Sequence, residues 1–131
     1  MSKRILIADD EPNIVAAIEF LLKQRGHEVH TAPDGGEALR LVASVVPDLV
    51  LLDVMMPQVS GYEVCQTIRN RPEWRHIKII MLSAKGRDSE VVKGLGMGAD
   101  LYVTKPFSTR DLMTRIETLL ESSSRPDPDA S

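Results

Sequence analysis

The chain has 131 residues, 43% of them hydrophobic, and a formal net charge of −3, which is the size and composition of one soluble globular domain. No apolar run approaches the ~18 residues that a membrane span requires. The N-terminus passes directly into a short strand-like run without a secretory signal, so we expect a cytoplasmic protein. The negative charge and the scattered positions of the sixteen Lys and Arg argue against direct binding of nucleic acid.

Five short apolar runs predict five β-strands, separated by segments with helical periodicity. The runs cover residues 4–9, 27–32, 48–53, 78–82 and 101–104. Three of them are almost entirely apolar, which is typical of strands in a parallel sheet that is covered by helices on both faces.

Five helices are predicted between and after these strands, over about residues 14–25, 35–43, 60–70, 88–97 and 108–122. Gly26 stands where a left-handed cap ends the first helix, and Asp34 is a candidate N-cap of the second. Ser60 and Glu63 have the spacing of a capping box at the start of the third.

Strands joined by single helices predict a doubly wound α/β sheet, because right-handed crossovers place successive helices on alternate faces once the strand order reverses. One domain over residues 1–121 accounts for all the predicted elements. Residues 122–131 have almost nothing to bury, so we expect a disordered tail or the start of a linker.

The remaining cysteine, histidine and tryptophan side chains predict no site. Cys65 is the only cysteine, which excludes an intramolecular disulfide and a thiolate metal cluster, and we expect it to be a small buried residue. His27, His30 and His76 lack the spacing of metal ligands, and we expect them at the surface or in strands. Trp74 is expected to pack over a loop.

Polar residues stand where four of the predicted strands end: Asp9, Asp10, Asp53, Ser83 and Lys105. In a doubly wound sheet, ligands bind beyond the carboxyl ends of the strands. Three converging carboxylates repel one another unless one is protonated or a cation joins them, and oxygen ligands of this kind predict a Mg²⁺ site. A lysine and a hydroxyl alongside suit phosphoryl transfer, with Asp53 as the nucleophile.

Four segments together resemble the receiver domains of two-component response regulators, and the resemblance covers roughly residues 3–121. The segments are ILIADDEP at residues 5–12, LLDVMMP at residues 51–57 followed by Gly61, MLSAK at residues 81–85, and GADLYVTKPF at residues 98–107. The resemblance implies a flavodoxin-like fold with five helices and the strand order 2-1-3-4-5. It also implies a signalling switch that operates by phosphorylation and turns over no metabolite.

The resemblance implies the roles of the acidic residues. Asp53 would accept a phosphoryl group from the phosphohistidine of a sensor histidine kinase or phosphotransfer protein. Asp10 would bind Mg²⁺, or Mn²⁺ in its place, directly, and Asp9 would bind it mainly through water. The backbone carbonyl of Met55 would complete the protein ligands.

The resemblance also assigns the residues that would hold the phosphoryl group and respond to it. Lys105 would pair with one phosphoryl oxygen, and the Lys105–Pro106 bond would be cis. Ser83 would hydrogen-bond another oxygen, and Tyr102 would move inward as Ser83 is drawn to the phosphoryl group. This movement would change the face formed by the fourth helix, the fifth strand and the fifth helix.

Two hypotheses concern the phosphorylated state. Met55 and Lys85 would border the path of attacking water, and neither is a good general base at neutral pH, so we expect slow self-dephosphorylation. The fourth predicted helix contains Gly94 and Gly96, each of which costs about 1 kcal/mol relative to alanine. We expect a labile helix that phosphorylation orders.

A third hypothesis is a phosphorylation-dependent homodimer. Many receivers of winged-helix transcription factors have an acid at the place of Leu101. The charged residues that remain for a dimer face are Lys93, Asp100, Asp111 and Arg115. Exposed ion pairs contribute only about 0–1 kcal/mol each, so we expect such a dimer to be weak.

Three alternative functions stay open at this point. The chain could be the receiver portion of a longer transcriptional regulator with a separate DNA-binding domain. A flavodoxin-like FMN carrier would need a phosphate loop rich in Ser, Thr and Gly where Asp9, Asp10 and Glu11 stand. A Mg²⁺-dependent phosphatase of the haloacid dehalogenase type would need a second acid at Met55.

Overall fold

A parallel sheet of five strands forms the centre of the protein, in a computed structural model that describes residues 2–56, 59–84 and 88–123. The strands are β1 (Arg4–Ala8), β2 (Glu28–Ala32), β3 (Leu49–Asp53), β4 (Lys78–Ser83) and β5 (Leu101–Thr104). Their order across the sheet is β2-β1-β3-β4-β5, which confirms the predicted fold. All four neighbouring pairs are parallel.

Five α-helices connect and follow the strands, as predicted. They are α1 (Pro12–Gln24), α2 (Gly35–Val45), α3 (Gly61–Arg69), α4 (Asp88–Gly96) and α5 (Thr109–Ser123). Asp34 caps α2 by accepting a hydrogen bond from the Glu37 backbone N–H at 2.8 Å, and Ser60 and Glu63 form both bonds of a capping box at α3. Gly26 has a φ of 89° just after α1, which confirms the predicted left-handed cap.

Apolar side chains fill both faces of the sheet, which explains why the inner strands are almost entirely apolar. On one face, Leu6 and Ala8 of β1 belong to a buried cluster with residues of α2 and α3. On the other face, Ile5 and Ile7 belong to a cluster with residues of α1 and α5. The alternation along β1 therefore places helices on both sides of the sheet.

Two side chains lie deeper than the sequence predicted. Trp74 belongs to a short 3₁₀ helix (Pro72–Trp74) and is only 8% exposed, so the prediction that it packs over a loop was wrong. His27 is 7% exposed and lies one residue before β2, whereas we expected it at the surface or in a strand. Its Nδ1 accepts a hydrogen bond from the Lys3 backbone N–H at 3.2 Å, and its Nε2 lies 3.0 Å from Glu117 Oε2.

The C-terminal helix reaches slightly beyond the predicted domain boundary. α5 continues to Ser123, so two residues that we had assigned to the tail are helical, whereas residues 124–131 lie outside the described residues. No helix in the part of the chain that the structure describes is long and apolar enough to cross a membrane.

Gly94 of α4 lies where the helix packs against β4 and β5. A Cβ atom at this position would lie 2.7 Å from Tyr102 Cδ2 and 2.9 Å from Met81 Sδ. Gly94 is therefore required for the close approach of α4 to the ring of Tyr102. Gly96, two residues further on, has nothing within 4 Å of a Cβ at its position.

We expect Gly94→Ala and Gly96→Ala to have opposite effects on stability. Gly94→Ala forces the Tyr102 ring or α4 to move, and overpacking of this kind costs about 1–3 kcal/mol. Gly96→Ala adds a better helix former in open space and stabilises by up to about 1 kcal/mol. Urea unfolding of both variants measures the difference, and equal shifts in the same direction would contradict this packing.

Candidate functional site

The carboxyl ends of the strands bring the predicted acids together at one edge of the sheet. Asp9 and Asp10 follow β1, and Asp53 is the last residue of β3. One carboxylate oxygen from each of the three lies within 4.8 Å of the others. Ser83 ends β4 and Lys105 follows β5, so the fold places all five predicted residues at this edge.

Asp53 is an acid held in a nearly dry environment. It is 4% exposed, and its Oδ1 accepts a hydrogen bond from the Met55 backbone N–H at 3.0 Å. Burial is the main cause that raises the pKa of Asp53 from 3.8 to about 6, although the Met55 hydrogen bond opposes it. The neighbouring charge of Asp9 raises this pKa further, while Lys105 lowers it.

Asp9 carries a buried oxygen without a hydrogen bond. Its Oδ1 accepts from the Glu11 backbone N–H at 2.9 Å, but its Oδ2 accepts no hydrogen bond from the described residues. The ammonium of Lys105 lies 3.1 Å from Oδ2, close enough for an ion pair. A buried carboxylate oxygen left in this way, beside two further acids, fits a divalent cation site.

Lys105 lies among three carboxylates. Its Nζ is 2.8 Å from Glu11 Oε1, 3.1 Å from Asp9 Oδ2 and 3.5 Å from Asp53 Oδ2. Burial alone would lower the pKa of Lys105, but the hydrogen bond to Glu11 and the charges of Asp9 and Asp53 together raise it above its usual range. Lys105 is therefore charged at every physiological pH.

Glu11 contacts the site through Lys105, and sequence reasoning did not predict this contact. It stands directly after Asp9 and Asp10, so its place in the acidic run was visible, but its partner Lys105 lies 94 residues further along the chain. No local pattern indicates a pair of that separation.

The residues expected to respond to the phosphoryl group lie on β4 and β5. Ser83 is fully buried, and its carbonyl accepts a hydrogen bond from the Lys105 backbone N–H at 2.7 Å. The Lys105–Pro106 peptide bond is cis, as the resemblance implies. Tyr102 is half-buried and packs against the apolar cluster beneath α4.

The loop after β3 forms the outer rim of the site. The Met55 side chain is 56% exposed, and Gly61 at the start of α3 approaches the end of β3 so closely that a Cβ would lie 2.3 Å from the Asp53 carbonyl oxygen. The metal-binding role of the Met55 carbonyl stays a prediction. Lys85 lies outside the described residues.

The four charges predicted for a dimer face all have partners within the chain. Lys93 Nζ lies 4.4 Å from the centre of the Tyr62 ring, and Arg115 Nε donates to Asp111 Oδ2 at 3.0 Å. Asp100 Oδ2 accepts from the Ile79 backbone N–H and from an Arg69 guanidinium nitrogen at 2.8 and 2.9 Å. Asp100 therefore holds β5 to the start of β4.

We expect Asp53→Asn to stabilise the metal-free protein at pH 7. Because the folded state raises the pKa of Asp53, this group favours folding below its ordinary pKa of 3.8, and that contribution is lost as the pH rises through about 6. At neutral pH the buried charge costs about 2–3 kcal/mol, which the variant avoids. Urea denaturation in the presence of a chelator measures the free energy of unfolding of both proteins at about pH 4 and pH 7. A difference between them that does not grow with pH would contradict this prediction.

The comparisons with known proteins agree with this geometry. The family model described as "Response regulator receiver domain" matches residues 5–117. The receiver domain of Francisella response regulator 1452 is 31% identical, with a TM-score of 0.86 over 93% of this chain and 99% of that one. The BeF₃-activated DrrB receiver domain is 36% identical, with a TM-score of 0.84 over 92% of this chain and 99% of that one.

A third solved structure contains the same fold within a longer chain. NtrX from Brucella abortus is 30% identical, with a TM-score of 0.82 over 94% of this chain and 27% of that one. The family match covers most of the sequence, and the fold places the acids and the lysine at one edge of the sheet. The chain therefore belongs to the family of response regulator receiver domains.

Proposed function

We propose that Asp53 accepts a phosphoryl group from the phosphohistidine of a histidine kinase or phosphotransfer protein. The observation that carries this proposal is the convergence of Asp53 with Asp9, Asp10 and Lys105 at the carboxyl edge of the sheet. Membership of the receiver family supports the class of donor. An Asp53 oxygen would attack phosphorus, so that an O–P bond forms as the P–N bond to the donor imidazole breaks.

Different residues around Asp53 would bind different oxygens of the phosphoryl group. Lys105 lies 3.5 Å from Asp53 Oδ2, where its ammonium would neutralise charge on a phosphoryl oxygen. Ser83 at the end of the neighbouring strand would hydrogen-bond another oxygen. The Met55 backbone N–H already holds Asp53 Oδ1 at 3.0 Å, which leaves Oδ2 for the attack.

We propose Asp9, Asp10 and Asp53 as the ligands of Mg²⁺, with Mn²⁺ as an alternative and the Met55 carbonyl as a further ligand. The buried Oδ2 of Asp9, which accepts no hydrogen bond from the described residues and has only the Lys105 ammonium as a cationic neighbour among them, supports this assignment. When bound, the ion supplies the positive charge that lets three carboxylates and a phosphoryl group share one site.

We propose that the response reaches α4 through Tyr102. The Tyr102 ring lies so close to Gly94 that a Cβ atom on Gly94 would be 2.7 Å from Tyr102 Cδ2. An inward movement of the ring would therefore change the packing of α4. Met81 lies beneath the same helix, and Ser83 is two positions further along β4. Ser83 would start this movement. The switch would act through protein contacts at the face of α4, β5 and α5, without turnover of a metabolite.

A depression beside the site suits contact with the donor protein. It has a volume of about 240 Å³ and is lined mainly by apolar groups of α1 and of the segment after β5, among them Ile14, Ala17 and Phe107. Lys105 also lines it. We propose that the phosphohistidine reaches Asp53 with its carrier protein against this surface.

The remaining proposals concern the phosphorylated state and the output. Exposed Met55 offers no base to attacking water, so the phosphoryl group should be lost slowly, over minutes or longer in radiolabel chase experiments. A phosphorylation-dependent homodimer would have to form beside charges already paired within the chain.

This chain matches 27% of the length of NtrX. That match supports the alternative that this chain acts as the receiver portion of a longer regulator.

The central experiment is labelling by a small radioactive phosphodonor. We expect Mg²⁺-dependent incorporation into the wild-type protein and none above background in Asp53→Asn, because the amide is not a nucleophile. Asp111→Asn, the same substitution at an exposed residue of α5 whose carboxylate accepts a hydrogen bond from Arg115, serves as the control and should label normally. Label that persists in Asp53→Asn would exclude Asp53 as the acceptor.

Hydrogen exchange tests the proposed response of α4. In the presence of beryllofluoride and Mg²⁺, amides of α4 should exchange at least severalfold more slowly than in the free protein, whereas amides of β1 should change little. The reason is that a helix with Gly94 and Gly96 opens readily, and an inward movement of Tyr102 would tighten its packing. Unchanged exchange in α4 on binding would argue against an ordering switch.

A further inference from the structure

Glu11 occupies a position where its residue type is not favoured by local structure. It is the N-cap of α1, with a φ of −98° and a ψ of 104°, but its side chain makes no capping hydrogen bond. Ser, Thr, Asp and Asn are preferred at N-caps because their short side chains reach the first helical N–H groups. A residue that breaks this preference points to another use of its side chain.

The Glu11 side chain instead binds Lys105. The Oε1 to Nζ distance of 2.8 Å is the shortest of the three contacts that Lys105 makes with carboxylates, and it is a hydrogen bond. Asp53 Oδ2 is further away, at 3.5 Å. In the resting protein the ammonium is therefore displaced toward the rim of the site, on the side of Glu11.

Binding of a divalent cation would leave fewer acceptors to compete for the ammonium of Lys105. A divalent ion held by Asp9 and Asp53 satisfies two of the three carboxylates that now surround Lys105. The ammonium then has two remaining kinds of acceptor, the Glu11 carboxylate and the oxygens of a phosphoryl group on Asp53. Contact with one weakens contact with the other.

We propose that Glu11 is a positioning residue that retains Lys105 in the resting state and releases it to the phosphoryl group. This inference rests on the proposed function of Asp53 and adds a residue that sets how readily the switch closes. Glu11 acts in two ways with opposite results. Its charge attracts the divalent ion, whereas its hydrogen bond withholds Lys105 from the phosphoryl oxygens.

Because Glu11 is expected to favour Mg²⁺ binding and to oppose binding of the phosphoryl group, the variant Glu11→Gln tests the proposal. Loss of the charge should weaken Mg²⁺ binding about two- to fivefold, the range expected for one partly exposed charge. At saturating Mg²⁺, the neutral amide oxygen of Gln holds the Lys105 ammonium less strongly than a carboxylate does, so beryllofluoride binding should tighten by a similar factor, about two- to fivefold. Isothermal titration calorimetry measures Mg²⁺ binding alone and then beryllofluoride binding.

A second variant separates the effect of the Glu11 charge from the effect of its side-chain length. Glu11→Asp keeps the charge and supplies a favoured N-cap residue, but its side chain is one methylene shorter and loses Lys105. We expect Mg²⁺ affinity within about twofold of wild type and tighter beryllofluoride binding, as in Glu11→Gln. Glu19→Gln, on the same helix and paired with Lys23 at 2.9 Å, is the matched control and should change neither affinity.

Each outcome decides between the roles. A purely structural role of Glu11 at the start of α1, or a role in bracing Lys105 for the phosphoryl group, predicts weaker or unchanged beryllofluoride binding in both variants, and that result would overturn the proposal. Failure of the wild-type protein to bind Mg²⁺ and beryllofluoride would instead count against the proposed function of Asp53. Opposite shifts in Glu11→Gln with an unchanged control support the retention of Lys105 by Glu11.

Discussion

Electrostatic repulsion among acids at the carboxyl edge of the sheet is the constraint on which the site depends. Asp9 and Asp53 are both almost fully buried, and ionised carboxylates in such a position are costly unless opposite charge or hydrogen bonds compensate them. Lys105 supplies the only basic side chain within 4 Å of either acid among the described residues. One ammonium cannot neutralise three converging carboxylates, so the site retains an excess of negative charge that a divalent cation can satisfy.

The same constraint explains why stability and function are opposed at Asp53. Burial raises the pKa of this carboxyl to about 6, so at neutral pH the folded protein holds a charge that the unfolded chain would hold at lower cost. A fold selected for stability alone would place an amide or an apolar residue here. The retained carboxylate is therefore better explained by its chemistry, and the apolar clusters on both faces of the sheet supply the stability that it costs.

Local patterns predicted most of the fold, whereas contacts between distant parts of the chain were not predictable. The strands were recognisable because both of their faces are buried, and α3 began as predicted because Ser60 and Glu63 form a capping box within four residues. Convergence at the sheet edge followed from the parallel topology, which brought Asp9 to Asp53. Glu11 and Lys105 are 94 residues apart, and His27 and Glu117 are 90 apart, so no periodicity or spacing could indicate these pairs.

The division between rigid and adjustable parts follows from the hydrogen bonds at the site. Ser83 pairs with Thr104 in the ladder of β4 and β5, and its carbonyl accepts from the Lys105 backbone N–H. The backbones that carry the hydroxyl and the lysine thus belong to one hydrogen-bonded unit and cannot separate without breaking the sheet. Beside this unit, α4 packs closely on Tyr102 only because Gly94 lacks a side chain. A hydrogen-bonded sheet edge beside a helix whose packing depends on one glycine would suit the proposed transmission of a charge on Asp53 to the surface.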